Sequence, residues 1–190
     1  MKLKVITSNP GRVREFAEAF GRLGIAAEQM RLEYDEVQSS DLEEVVVKAM
    51  ATIRAGGEDD FIIDDSGLFI DALNGFPGVW SAYAQKTVGN AGILKLMDGV
   101  ADRGAEFRCC IGCSIGGEDI VVTGICRGTI VAEERGEGGF GFDPIFTHDG
   151  DRTFAELPLD EKERVSHRGE AIRMLIGRLD DAGAARTAAI

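Results

Sequence analysis

Apolar residues recur along this 190-residue chain at two alternating spacings, and each spacing predicts an element. The opening LKVIT is a short β-type run, closed by the turn chemistry of Asn9, Pro10 and Gly11. From Arg12 onward Val13, Phe16, Ala17 and Phe20 fall at helical spacing, so the first unit is strand, Gly/Pro turn, amphipathic helix. A second strand is expected over about residues 25–32. The polar stretch YDEVQSSD then leads into a helix striped by Leu42, Val45, Val46, Ala49, Met50 and Ile53, with Ser40 and Glu43 at capping-box spacing and Lys48 off the stripe. Residues 61–64, FIID, read as a buried strand that ends in two adjacent carboxylates.

Past the Gly/Pro-rich LNGFPGVWSAYA, a helix is expected near residues 88–97. Two long β-type runs follow, about 106–115 and 119–133, joined at Gly116-Gly117 as a hairpin. GEGGFGFDP is too rich in glycine for regular structure. Ala171, Ile172, Leu175, Ile176 and Leu179 mark a last helix, capped by Ser166 and stopped at Gly183, which leaves 183–190 as a frayed tail. Strands and helices alternate early and antiparallel pairing dominates late. The prediction is one α/β domain with a mixed, twisted sheet and flanking helices, its ligands at the C-terminal ends of strands.

Charge narrows the function. A formal net charge of −12 argues against nucleic acid or acidic membranes as partners, because the protein's own field repels them. An anionic ligand must then be met by local cations, a metal ion or helix N-termini. Of the four cysteines, Cys109 and Cys113 share one face of a strand and Cys110 the other, the pattern of buried free thiols. Cys110 and Cys113 have C-x-x-C spacing, but no second pair follows and the chain has two histidines, too few for a closed zinc site. No apolar run reaches spanning length, so a cytoplasmic location is expected.

Four stretches could carry chemistry, and each has a structural alternative. Asp64 and Asp65 could cap a turn, or one could offer the carboxylate oxygens that a hard divalent cation prefers. Thr7, Ser8, Asn9, Pro10, Gly11 and Arg12 join a strand end to a helix N-terminus, which suits a phosphate, although the segment lacks Walker A spacing and such turns are common without ligands. His167 and Arg168 place cations where the helix dipole disfavours them; they are either solvated or donors aimed at a ligand. Phe140, Gly141, Phe142 and Asp143 put two aromatics and an acid in a glycine-rich loop. Those rings either stack on a nucleobase, for about 1–3 kcal/mol per base, or anchor the loop to the core.

In order and spacing, TSNPGRVREF, DDSGLFIDALNGFPGVWSA, GGFGFDPIF and FAELPLDEKERVSHRGEA resemble the inosine/xanthosine triphosphate pyrophosphatase family over nearly the whole chain. The resemblance implies a two-lobed α/β fold with an active-site cleft, a homodimer, and Mg2+-dependent hydrolysis of ITP, dITP or XTP to monophosphate and pyrophosphate. It implies that residues 7–12 hold the triphosphate, that Glu36 and Asp65 bind the metal, and that Asp65 accepts the proton of the attacking water. It further implies that Lys48 and Ser66 contact phosphate or sugar. Phe140, Gly141, Phe142 and Asp143, with Lys162, His167 and Arg168, would enclose and read the base. Arg12 departs from the family's usual lysine, exchanging a compact cation for a planar fork. Two other functions compete: a septum-formation-inhibitor-like nucleotide pyrophosphatase with another base preference, and a non-catalytic nucleotide sensor. A sensor has no need of paired carboxylates beside the phosphates.

Overall fold

Lys2–Ile6 forms strand β1, which buries Leu3, Val5 and Ile6. Helix α1, Pro10–Gly21, begins two residues earlier than Arg12 because proline's fixed φ suits the first helical position. Its inward residues are Phe16 and Phe20, with Val13 and Ala17 half-buried beside them. β2, Ala26–Met30, returns parallel to β1, with Val5 opposite Gln29. The computed structural model describes residues 2–21, 24–34 and 37–188, of which 181–188 are described as backbone alone.

Helix α2, Leu42–Ala55, buries Leu42, Val46, Ala49, Met50 and Ile53. Its cap is Asp41 rather than Ser40. The Asp41 carboxylate accepts from Glu43 N at 2.8 Å, while Ser39 Oγ accepts from Asp41 N at 3.1 Å. A carboxylate there also meets the positive end of the helix dipole, which a serine hydroxyl does less well.

Strand β3, Phe61–Ile70, does not stop at the carboxylates but carries them mid-strand. The extension is held from outside: β4, Pro77–Gly78, pairs antiparallel with it at Leu68 and Phe69. Gly67 permits that approach, since a Cβ there would lie 2.2 Å from the Gly78 carbonyl oxygen. β5, Gly104–Ile115, and β6, Glu118–Ile130, form the expected hairpin, and Gly116 and Gly117 both adopt the positive φ that a two-residue turn requires. With β7, Phe146–Thr147, the described strands make one mixed sheet of order β2-β1-β3-β5-β6-β7, with β4 attached to β3.

Three helices complete the second half besides the one expected near 88–97, which is α4, Gly89–Leu96. They are α3, Ser81–Thr87; α5, Leu159–Val165; and α6, His167–Ala188. Ser166 caps α6 as expected, its Oγ accepting from Gly169 N at 3.1 Å. The helix runs through Gly183 rather than ending there. An interior glycine costs only about 1 kcal/mol relative to alanine, and the alanine-rich GAARTAA favours helix on either side.

The chain divides into two compact units: residues 1–65, 110–123 and 171–190, and residues 66–109 and 124–170. In the first, α2 lies directly on β5, because a Cβ at Gly112 would come within 2.4 Å of Met50 Sδ. In the second, the core gathers Leu68, Ile93, Phe107, Phe142, Phe146 and Phe154. The four cysteines are free and buried, as their spacing suggested. Burial pushes the Cys110 thiol up to about 11 and those of Cys113 and Cys126 up to about 12, so all three stay protonated at neutral pH. Among the described residues no helix is long and apolar enough to cross a membrane.

Candidate active site

The first unit brings the loop at residues 7–12 to the paired carboxylates by strand register alone. β1 and β3 run parallel with Val5 opposite Ile62, so two further residues along each strand bring Thr7 level with Asp64. The loop is tied largely to itself. Thr7 Oγ1 accepts from Asn9 N at 3.1 Å, Asn9 Oδ1 accepts from Gly11 N at 2.8 Å, and Gln29 Nε2 donates to the Thr7 carbonyl at 2.9 Å. These internal bonds leave fewer loop N–H groups for an anion than the sequence suggested. Arg12 Nη1 donates to the Asp64 carbonyl at 3.1 Å and to Asp64 Oδ1 at 3.3 Å.

Asp65, the next residue, is turned the other way by strand alternation. Its charge, with those of Glu43 and Asp41 at the start of α2, adds to the burial that raises the Cys110 thiol. Glu36 lies outside the described residues. Lys48 forms an i,i+4 ion pair with Glu44 on the half-exposed face of α2. Such a surface pair contributes only about 0.3–0.5 kcal/mol, so an anionic ligand can displace it. Among the described residues no three His, Cys, Asp or Glu side chains form a ready metal cluster.

The second unit collects the other predicted residues into one connected assembly. Asp143 Oδ2 accepts from Phe140 N at 2.7 Å and from Lys162 Nζ at 2.6 Å, with both side chains more than nine-tenths buried. Gly139 makes room for this: its φ is +70°, and a Cβ would lie 2.1 Å from Asp143 Oδ2. Lys162 Nζ lies 4.8 Å from the centroid of the Phe140 ring, and Arg168 Cζ lies 5.8 Å from it. Arg168 Nη2 donates to Ser66 Oγ at 3.0 Å, and the His167 ring stacks on Phe107 with centroids 4.7 Å apart and 12° between planes.

Burial bears on the structural alternatives for this segment. His167 and Arg168 are buried, which excludes the solvated reading. The two phenylalanines divide the roles between them. Phe142 is 4% exposed and belongs to the core, whereas Phe140 is 43% exposed and carries cations against its ring. Lys162 is paired with the buried Asp143 and the buried Arg168 is tied to Ser66, and both set their cationic heads against the Phe140 ring.

Sequence reasoning missed three contacts here. Asp64 holds Arg12, Phe107 supports His167, and Gln85 on α3 donates from Nε2 to the Gly141 carbonyl at 3.2 Å. The Asp64 pairing was recoverable from the parallel register, but the other two depend on contacts distant in sequence. The buried Asp143–Lys162 pair allows a direct test. Asp143→Ala strands a buried ammonium and is expected to destabilise the fold by about 3–5 kcal/mol in urea unfolding. A loss below about 1 kcal/mol would show that Lys162 reaches water instead.

An α/β sheet with a phosphate-type loop at a strand's C-terminal end, and a half-exposed aromatic beside buried donors, is the arrangement of a nucleotide-handling α/β protein. Residues 3–178 match the Ham1 family, and the chain belongs to that family. It is 47% identical over 174 residues to a dITP/XTP pyrophosphatase of Pyrococcus horikoshii, covering 91% of this chain and 94% of that protein. It is 48% identical to one from Thermococcus kodakarensis with the same coverage. Among solved structures, the Staphylococcus aureus Ham1 protein superposes with a TM-score of 0.83 at 32% identity, covering 96% of this chain and all of that one. A nucleoside-triphosphatase, dITP/XTP pyrophosphatase, from Mycobacterium abscessus gives 0.72 at 35% identity, covering 94% and 100%.

Proposed function

We propose that this chain hydrolyses non-standard purine nucleoside triphosphates, ITP, dITP and XTP, to the monophosphate and pyrophosphate. The observation that carries the reading is the half-exposed Phe140 ring beside the buried donors Lys162 and Arg168. A ring offers a stacking face to any base, and the donors select for the carbonyl oxygens that a base carries on its ring. The names of the relatives point the same way. The donor set also favours the purine family over a septum-formation-inhibitor-like enzyme, and the Asp64-Asp65 pair favours an enzyme over a sensor.

In this reading Thr7, Ser8, Asn9, Pro10, Gly11 and Arg12 engage the triphosphate, with Lys48 and Ser66 on phosphate or sugar. Phe140, Gly141, Phe142 and Asp143, together with Lys162, His167 and Arg168, form the base site; Phe142 and Asp143 act by fixing Phe140 and Lys162. Asp65 accepts the proton of the water that attacks the α-phosphorus, and the bond from that phosphorus to the bridging oxygen breaks. Water and the triphosphate thereby give monophosphate, pyrophosphate and a proton.

Mg2+ is part of the proposal, and the residues suit it. Asp65 offers hard oxygen donors in surroundings already made negative by Glu43 and Asp41, whose charges act with its own on Cys110. Asp65 and Glu36 would hold the ion, which when bound supplies neutralising charge to the phosphate oxygens of a substrate that this acidic protein otherwise repels. A homodimer in the cytoplasm, with the whole chain as one catalytic domain, belongs to the same proposal. The test is a nucleotide panel with and without Mg2+, read by chromatography. Conversion of ITP, dITP and XTP to monophosphates, stopped by a chelator, is expected; turnover of ATP alone would overturn the assignment.

A further inference from the structure

Asp64 and Asp65 adjoin in sequence, but β3 turns them to opposite faces, and the two faces differ. Asp65, on one face, is one of the carboxylates whose charge acts on the Cys110 thiol. Asp64 falls against α1, where its side chain is 1% exposed and Arg12 Nη1 bridges its carbonyl and carboxylate oxygens. A buried carboxylate level with a phosphate loop opposes an anionic substrate unless a cation neutralises it, and Arg12 is that cation. Among the described residues Asp64 is also the only hydrogen-bond partner of the guanidinium, since Arg12 Nε is buried and meets no acceptor. The position of the fork therefore depends on Asp64. Arg12 keeps 22% of its side-chain surface open, so it is clamped at one nitrogen and accessible elsewhere. A lysine, with three donors on a single point, could not be gripped at one nitrogen while presenting another.

We propose that Asp64 is a positioning residue for the triphosphate: it fixes the Arg12 guanidinium so that the open edge of the fork meets a phosphate oxygen. The two neighbouring acids thus divide the work, Asp65 for proton and metal and Asp64 for the cation that grips the substrate. This inference rests on the proposed function, because it needs a triphosphate at residues 7–12. It differs from a structural role for Asp64 in what it requires of a double-mutant cycle. If Asp64 acts through Arg12, removing Asp64 has nothing left to remove once Arg12 is gone.

The experiment is the cycle Asp64→Ala, Arg12→Ala and both together, read in two ways: steady-state kinetics on ITP with Mg2+, and calorimetric binding of inorganic tripolyphosphate. Each single variant is expected to raise KM and weaken tripolyphosphate binding by about tenfold, with kcat within about threefold of wild type. The double variant is expected to match Arg12→Ala alone. Asp64→Asn keeps an acceptor oxygen and is expected to recover part of the loss; it also carries the cycle if Asp64→Ala does not fold. Effects that multiply in the double variant, or a loss confined to kcat, would overturn the proposal. If the wild type released nothing from ITP, the functional reading would fail, yet tripolyphosphate binding would still decide the role of Asp64.

Discussion

Asp65→Asn is expected to lower kcat on ITP by about three orders of magnitude or more while leaving the melting transition close to that of the wild type. The substitution is nearly isosteric, so packing is retained. In the proposed mechanism it takes away a proton acceptor, typically about 10²–10⁴ in rate, and at the same position a carboxylate proposed to hold the metal. An amide neither accepts the proton nor neutralises a divalent cation. Asp64→Asn is the control, because it lies one residue away on the same strand and faces α1 instead. Its loss should fall on KM and be far smaller in kcat. Equal losses of kcat from the two substitutions would sink this division of roles.

The second large effect concerns the base. The enzyme is expected to reject ATP by a factor of about 10⁴ relative to ITP in kcat/KM, and Arg168→Ala is expected to collapse most of that ratio. Hypoxanthine and xanthine carry an oxygen at position 6, where adenine carries an amino group. A donor aimed there gains a hydrogen bond with the first and faces another donor with the second. Arginine suits this task because it has five donors and no acceptor. Arg168 is buried, tied to Ser66 and set against the Phe140 ring, so it cannot easily swing aside for the wrong base. A hydrophobic slot of Phe140 alone would separate the two bases far less. The measurement is kcat/KM for ITP, XTP, GTP and ATP in wild type and variant. A proportional loss on all four would make Arg168 a phosphate or structural residue.

Much of the fold was legible because it is local. The opening β1-α1-β2 unit and helix α2 follow from periodicity and turn residues, and the β5-β6 hairpin from its glycine pair. The misses are elements whose cause is distant in sequence or whose length is short. β3 continues past Asp65 because β4 pairs with it, a contact FIID cannot reveal. α3 and α5 are seven residues each, too few for a hydrophobic stripe to repeat, although α5 carries the buried Lys162. Asp41, not Ser40, caps α2, and capping-box spacing does not separate the two because Glu43 and Glu44 each follow one of them by three residues.

The candidate site was legible as motifs and not as geometry. The family resemblance brought forward Phe140, Asp143, Lys162, His167 and Arg168, and the structure joins them through hydrogen bonds and ring contacts. It could not say that Phe140 is exposed and Phe142 buried, because both sit in one glycine-rich loop without periodicity. Nor could it pair Arg12 with Asp64, which requires the register of β1 against β3. Glu36, the other expected metal ligand, lies outside the described residues.

The most direct test of the central claim is the phosphate released from ITP with Mg2+, measured with and without added inorganic pyrophosphatase. Cleavage at the α-phosphorus leaves pyrophosphate, so colour is expected only when the auxiliary enzyme is present, with two phosphates for each IMP formed. Equal signals in both arms, with IDP appearing before IMP, would mean stepwise removal of the terminal phosphate and would contradict the account.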